Sequence, residues 1–234
     1  MELDGKVAVV VGASRGIGKA VALALAREGA KVAAVSRTRE RLEAAVREIG
    51  QAGEAAAFVA DVSCPEQVDG AVKAIVERFG RIDILVNSAG VCVINPVADL
   101  SPDDFDRMVA VNLKGVFLFC RAVIPHLVRQ GGGHIVNIAS YVAKVGRPRV
   151  SSYCATKFGV VGLSQGMAHE LKEHGISVSV ICPRPVDTPM RRELFPDKDP
   201  SGWMAAEEVA DVVVFAVRRR ALANLADVTI GTPL

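Results

Sequence analysis

Apolar residues along the chain fall into short continuous runs, and these alternate with stretches of helical period. Residues 6–11 (KVAVVV), 31–35 (KVAAV), 55–60, 82–86, 134–139 and 176–181 each read as a strand. A short apolar run without polar alternation fits a parallel strand covered on both faces. Helical patterns follow residue 18 and Pro65 and cover 39–49, 101–129, 152–173 and 205–220, while 226–230 offers a seventh strand. Strands alternating with helices in this way predict the α/β class, with one doubly wound, six- to seven-stranded parallel sheet flanked by helices. No repeat or linker divides the chain, so a single domain over 1–234 is expected. Ser63-Cys-Pro-Glu66 has the form of a capping box for the helix after the third strand. The polar, irregular stretch 191–204 holds Phe195 and Trp203, and large apolar side chains in such a stretch suggest a lid over a ligand at about 189–204.

Composition removes several function classes. With 28 basic and 26 acidic residues there is no polyelectrolyte signal, so nucleic acid is not an expected partner. The opening MELDGKVAVV lacks the basic region and long apolar core of a signal peptide, and no apolar stretch reaches the roughly 18 residues of a membrane helix. A soluble, cytoplasmic protein is expected. The five cysteines are odd in number and widely spaced, which fits free thiols in a reducing compartment. In HELKEH, His169 and His174 are five apart where a zinc-protease helix needs four, with Glu173 at the required position, so no metal site is expected.

The first strand runs into Gly12-Ala-Ser14-Arg15-Gly16-Ile17-Gly18 and then a helix. In a strand–turn–helix, Gly12 permits a tight turn, Gly16 lets a phosphate approach the backbone and Gly18 lets the helix pack closely, with free amides facing the anion. After the second strand stand Ser36 and Arg37, where an NAD site carries a carboxylate for the ribose 2′-hydroxyl. Ser36 does not repel a 2′-phosphate, and Arg37 with Arg15 can pair with one, which favours NADP. Asp61-Val62 closes the third strand, placing a carboxylate where it can accept from an adenine amino group; Asn87-Ser88-Ala89-Gly90 closes the fourth with small residues suited to a cofactor's flank.

Ser140, Tyr153 and Lys157 follow at intervals of thirteen and four. Four residues is about one helical turn, so phenol and ammonium share a face. A unit charge about 4 Å away supplies approximately the 4 kcal/mol needed to bring a tyrosine of pKa about 10 into the neutral range. Ser140, at the end of a strand, can hold the substrate oxygen that Tyr153 protonates. Asn112, amid apolar neighbours, is either part of a structural network or a relay to Lys157.

In this order and spacing, the glycine turn, Asp61, the NSAG at 87–90, Asn112, Ser140, Tyr153 and Lys157 make the chain resemble the short-chain dehydrogenase/reductase family over nearly its whole length. The resemblance implies a Rossmann-type fold with Tyr153 as general acid/base and Ser140 as carbonyl-positioning donor. It implies that Lys157 is both the pKa-lowering charge and a ligand of the nicotinamide ribose, that Asn112 belongs to a proton relay, and that Pro183, Val186 and Thr188 flank the carboxamide. The chain departs from the family pattern at Val11, at Ser88 and, after strand six, at Pro183-Arg184 in place of Pro-Gly. Arginine tolerates positive φ poorly, so the last change predicts a rearranged backbone there. The expected activity is NADP(H)-dependent interconversion of a small ketone or aldehyde and an alcohol; the alternative is a non-catalytic dinucleotide sensor or scaffold on the same fold. Arg147, Arg149 and Arg184 are either solvated or meet an anionic group. Apolar helices around 104–128 and 152–173 point to a homo-oligomer.

Overall fold

The structure, a computed structural model, describes residues 3–218 and 226–231, so the expected helix over 205–220 is described only as far as Arg218. Among the described residues, seven parallel strands form one sheet: β1 (Val7–Val11), β2 (Lys31–Ser36), β3 (Ala55–Val59), β4 (Ile84–Asn87), β5 (Gly133–Ile138), β6 (Ile176–Pro183) and β7 (Asp227–Ile230). Their order is β3-β2-β1-β4-β5-β6-β7. The chain runs outward from β1 to β3, then returns to the other side of β1 with β4. This reversal opens a crevice at the carboxyl ends of β1 and β4, the place where such sheets bind nucleotides.

Helices cover both faces: α1 (Gly16–Arg27), α2 (Arg39–Ile49) and α8 (Ala206–Val217) on one, α3 (Pro65–Phe79), α5 (Gly115–Arg129) and α6 (Ser151–Glu170) on the other. The uninterrupted apolar run of β1 follows from this. Val9 and Val11 face Ile75, Phe119, Val123 and Val160, whereas Ala8 and Val10 face Leu25, Leu42 and Val213. Each such large side chain contributes about 1.5–3 kcal/mol on full burial.

Four expectations change. Ser63 does not cap α3: its hydroxyl donates to the Asp61 carboxylate at 2.6 Å, and the helix begins one residue later, with Cys64 as its cap and Pro65 in its first turn. The stretch 101–129 is not one regular helix. It comprises α4 (Pro102–Val109), a π-helical turn (Ala110–Lys114) and α5. Taken together, Pro102–Arg129 is long and apolar enough to cross a membrane by length and composition, contrary to the sequence reading; its Met108, Leu118, Phe119, Val123 and Leu127 are spent on the core. Finally, β6 continues through Pro183, because its edge pairs with β7 and the Arg184 amide donates to the Ile230 carbonyl at 2.8 Å.

Candidate active site

Glycine lets three pieces of backbone meet at the crevice. Gly12 has φ +85°, and a Cβ there would stand 2.7 Å from the Ala89 nitrogen at the end of β4. A Cβ on Gly18 would stand 2.3 Å from the Gly12 carbonyl oxygen, so α1 packs against the turn only without one. No side chain caps α1, and its first turn holds no acidic residue, which leaves its amides to an anion. A cleft of about 260 Å³ lies against them, with Gly12, Ser14, Arg15, Gly16, Ile17 and Gly18 in its wall. This cradle fits the pyrophosphate of a dinucleotide.

Ser36, Arg37, Thr38, Arg41, Asp61 and Val62 line the end of the cleft beyond β2 and β3. Ser36 donates to the Ser14 hydroxyl at 3.0 Å. Asp61 accepts from the Ser63 amide at 2.9 Å, and Arg37 stands 3.7 Å from its other oxygen. Burial alone would raise the Asp61 pKa; the Ser63 hydrogen bonds and the Arg37 charge outweigh it and hold the carboxyl below its ordinary value. Arg15 is tied at 2.5 Å to Glu193, on α7 (Pro189–Leu194). Arg41, in the first turn of α2 four residues after Arg37, was missed in the sequence.

At the opposite end stand Ala89, Gly90, Tyr153, Lys157 and Thr188. Tyr153 and Lys157 project from α6 as their spacing predicts, with Nζ of Lys157 5.7 Å from the centre of the phenol ring. Ser140, in extended backbone just past β5, accepts from the Val142 amide at 3.4 Å and stands near enough to Tyr153 to bear on its pKa. The expected electrostatics do not follow, however. Burial pushes the Tyr153 pKa up, the neighbouring Cys92 thiol adds to this, and the nearby Ser140 hydroxyl opposes it without prevailing. Lys157 is buried, donates to the Ile138 carbonyl at 2.9 Å, and has its own pKa lowered to about 8 by burial. In so dry a site the loss of hydration exceeds the attraction between the two groups.

Asn112 lies in the π-helical turn, a distortion that frequently marks functional sites. Its amide is fully engaged: Oδ1 accepts from the Val91 amide at 2.8 Å, and Nδ2 donates to the Val91 carbonyl at 2.9 Å and to Thr156 Oγ1 at 3.1 Å. Its side chain thus pins the strand-four loop to α6 beside Lys157, and makes no hydrogen bond to that residue. Asn87, Pro183 and Val186 lie outside the cleft's lining. Asn87 instead donates to Asn137 Oδ1 at 2.8 Å, and Asn137 donates to Ser164 at 2.9 Å, a buried polar chain from β4 through β5 to α6. Val186 pairs with Met204 in an isolated bridge.

Arg184 keeps negative φ and places its guanidinium 4.3 Å from the Tyr141 ring centre, so the turn after β6 is built from ladder and stacking contacts instead of a left-handed residue. Thr188 accepts from the Arg191 amide at 3.2 Å, starting α7 within the expected lid. Val91, Val111, Ile138 and Ala139 also line the cleft and carried no sequence signal, while Pro189 and Met190 reach it from the start of the expected lid. Among the described residues no cluster suited to a metal ion is found.

Known proteins match this arrangement throughout. The sequence model of the family described as short chain dehydrogenase matches residues 6–199. D-threitol dehydrogenase of Mycolicibacterium smegmatis is 43% identical over 97% of this chain and 92% of its own. A 3-oxoacyl-(acyl-carrier-protein) reductase of Thermotoga maritima is 38% identical over 92% and 91%. Among solved structures, levodione reductase superposes with a TM-score of 0.90 at 36% identity, covering 97% and 96% of the two chains. The 3-ketoacyl-(acyl-carrier-protein) reductase of Brucella melitensis complexed with NADH superposes with a TM-score of 0.90 at 35% identity, covering 98% of each. Agreement of this extent in sequence and backbone means that the chain belongs to the short-chain dehydrogenase/reductase family, as an oxidoreductase that binds a nicotinamide dinucleotide.

Proposed function

We propose that the protein is an NADP(H)-dependent oxidoreductase that interconverts a ketone or aldehyde with the corresponding alcohol. The cofactor supplies hydride chemistry at its nicotinamide. Tyr153 gives a proton to the carbonyl oxygen, Ser140 donates a hydrogen bond to the same oxygen, and Lys157 contributes a positive charge beside both and a donor for the nicotinamide ribose. Asn112 holds the loop and helix that frame them. The observation that supports this reading is the grouping of Ser140 near Tyr153, with Lys157 one turn along α6 and both Tyr153 and Lys157 in the wall of the cleft that the glycine cradle opens. The raised Tyr153 pKa keeps the phenol protonated near neutrality, the state a carbonyl reduction needs.

The preference for NADP rests on the cationic end of the cleft. Arg37 and Arg41 line it, Ser36 stands in place of a carboxylate, and Asp61 is already engaged by Ser63 and Arg37. D-threitol, 3-oxoacyl and levodione name the relatives' substrates; what these have in common is a secondary alcohol or its ketone. Free thiols at all five cysteines agree with a cytoplasmic location. A face for a second copy of the chain is supported by Phe117 on α5 and Phe158 on α6. Both are exposed, and Leu113 and Gly159, near neighbours of the two along their helices, lie against each other.

Replacement of Tyr153 by Phe tests the catalytic assignment. Consumption of NADPH with a panel of ketones should fall at least a thousandfold, while fluorescence titration still shows NADPH binding. Retained turnover would refute the role of the phenol.

A further inference from the structure

Three consecutive charged residues of α7 meet different fates. Arg192 lies in a two-pronged ion pair with Asp187 at 2.6 and 2.7 Å, and Glu193 pairs with Arg15. Arg191 turns inward. Its guanidinium carbon lies 4.6 Å from the centre of the Phe195 ring and 4.8 Å from that of Trp203, and its Nε is buried without a hydrogen-bond partner. Among the described residues no carboxylate pairs with it. Arg191 is half-buried, and that burial lowers its pKa, as expected of a cation with part of its hydration removed and no carboxylate beside it.

The position of this cation connects it to the reaction site. Cys92 is near enough to Lys157, Arg191 and Tyr153 for charge on each to be felt at the others. Met190, its immediate neighbour, lines the cofactor cleft. Aromatic rings favour a guanidinium by about 0.5–2 kcal/mol but satisfy none of its five N–H donors. Those donors lie in the guanidinium plane, in the fork that matches a carboxylate or a phosphate.

We propose that Arg191 recognises an anionic group, carboxylate or phosphate, on the substrate whose carbonyl faces Tyr153. The assignment rests on the carbonyl-reduction reading above and narrows its substrate class to oxo acids or oxo phosphates. Phe195 and Trp203 hold the guanidinium in place and cover part of it, which strengthens the charge-assisted hydrogen bonds of the ion pair. Neutral ketones of the same shape leave the cation unmatched.

Matched pairs of compounds, given to the full chain with NADPH, test this. The pairs are 2-, 3- and 4-oxo carboxylic acids against their methyl esters, and hydroxyacetone phosphate against hydroxyacetone. At least one charged member should exceed its neutral twin about tenfold or more in kcat/KM. Arg191→Gln should cut that ratio about ten- to a hundredfold, mainly through KM, and Arg191→Lys should restore part of it. Trp203 is the single tryptophan, so its emission reports the same event without turnover. The preferred anion should change it saturably in the wild-type enzyme–NADP complex and not in the Arg191→Gln complex. The Kd for NADPH, measured for both proteins, should differ less than threefold, which shows that the variant is folded.

A neutral twin preferred in every pair, or an equal loss for both members in Arg191→Gln, overturns the assignment. So does a tenfold rise in the NADPH Kd with the charge preference intact, which would give the guanidinium to the cofactor. If nothing is reduced but anions still alter Trp203 emission in an Arg191-dependent way, the anion site stands and the reductase reading falls. Absence of both signals removes the two together.

Discussion

Lys157 reaches from α6 to the last carbonyl of β5, that of Ile138, at 2.9 Å, and this contact holds the ammonium in a dry position. Its pKa is about 8 in the folded protein against an ordinary 10.5. Below pH 8 the amine is charged in both folded and unfolded chains, and the native state carries the full desolvation cost. Between pH 8 and 10.5 the native protein releases the proton first, so stability rises through that window. Denaturant midpoints of the cofactor-free protein should therefore rise relative to those of Lys157→Met as pH increases, by up to roughly 3 kcal/mol in free energy. Parallel curves for the two proteins would mean that Lys157 is not desolvated.

Arg37→Asp bears on the cofactor. A carboxylate at the end of β2 accepts from ribose hydroxyls and repels a 2′-phosphate. The ratio of kcat/KM for NADPH over NADH should drop about ten- to a hundredfold, the scale of one charge-assisted contact. An unchanged ratio would place the phosphate on other residues, with Arg41 the first to examine.

The glycine cradle gives a steric prediction. In Gly18→Ala the new methyl meets the Gly12 carbonyl oxygen at 2.3 Å, and the turn must open or α1 must retreat. Calorimetric titration should show NADPH binding weakened at least tenfold, and urea unfolding should show a loss of about 1–3 kcal/mol. Wild-type affinity in this variant would show that the phosphates do not rest there.

Phe117 and Phe158, 46% and 47% exposed, give the oligomer prediction. Sedimentation velocity of Phe117→Ser/Phe158→Ser should show a smaller species than the wild type at equal concentration. Identical profiles would move the contact to another face.

Much of the site was legible because its signals are local. Apolar runs located the strands that end at the crevice, and the glycine turn and the four-residue step from Tyr153 to Lys157 depend on neighbours in sequence. What escaped depends on distant parts of the chain. The Tyr153 pKa is governed by burial under segments that sequence does not juxtapose, so a pairwise charge argument gave the wrong direction. Arg191 reads as one more surface arginine until Phe195 and Trp203 close on it. Asn112 looked helical in composition, yet the turn it occupies is widened, and its amide is bound to a loop. Arg184 was judged against a left-handed turn that the longer β6 makes unnecessary.

The buried chain from Asn87 through Asn137 to Ser164 has a mechanical meaning for the reacting groups. Greasy contacts alone would let α6 slide or rotate slightly on the sheet at little cost, but directional bonds in a dry interior break under such a shift. Ser164 lies seven residues, close to two turns, beyond Lys157, so the anchor and the amine look out on the same side. The polar chain acts as a detent that keeps phenol and amine aligned over the crevice through every cycle of ligand entry and departure.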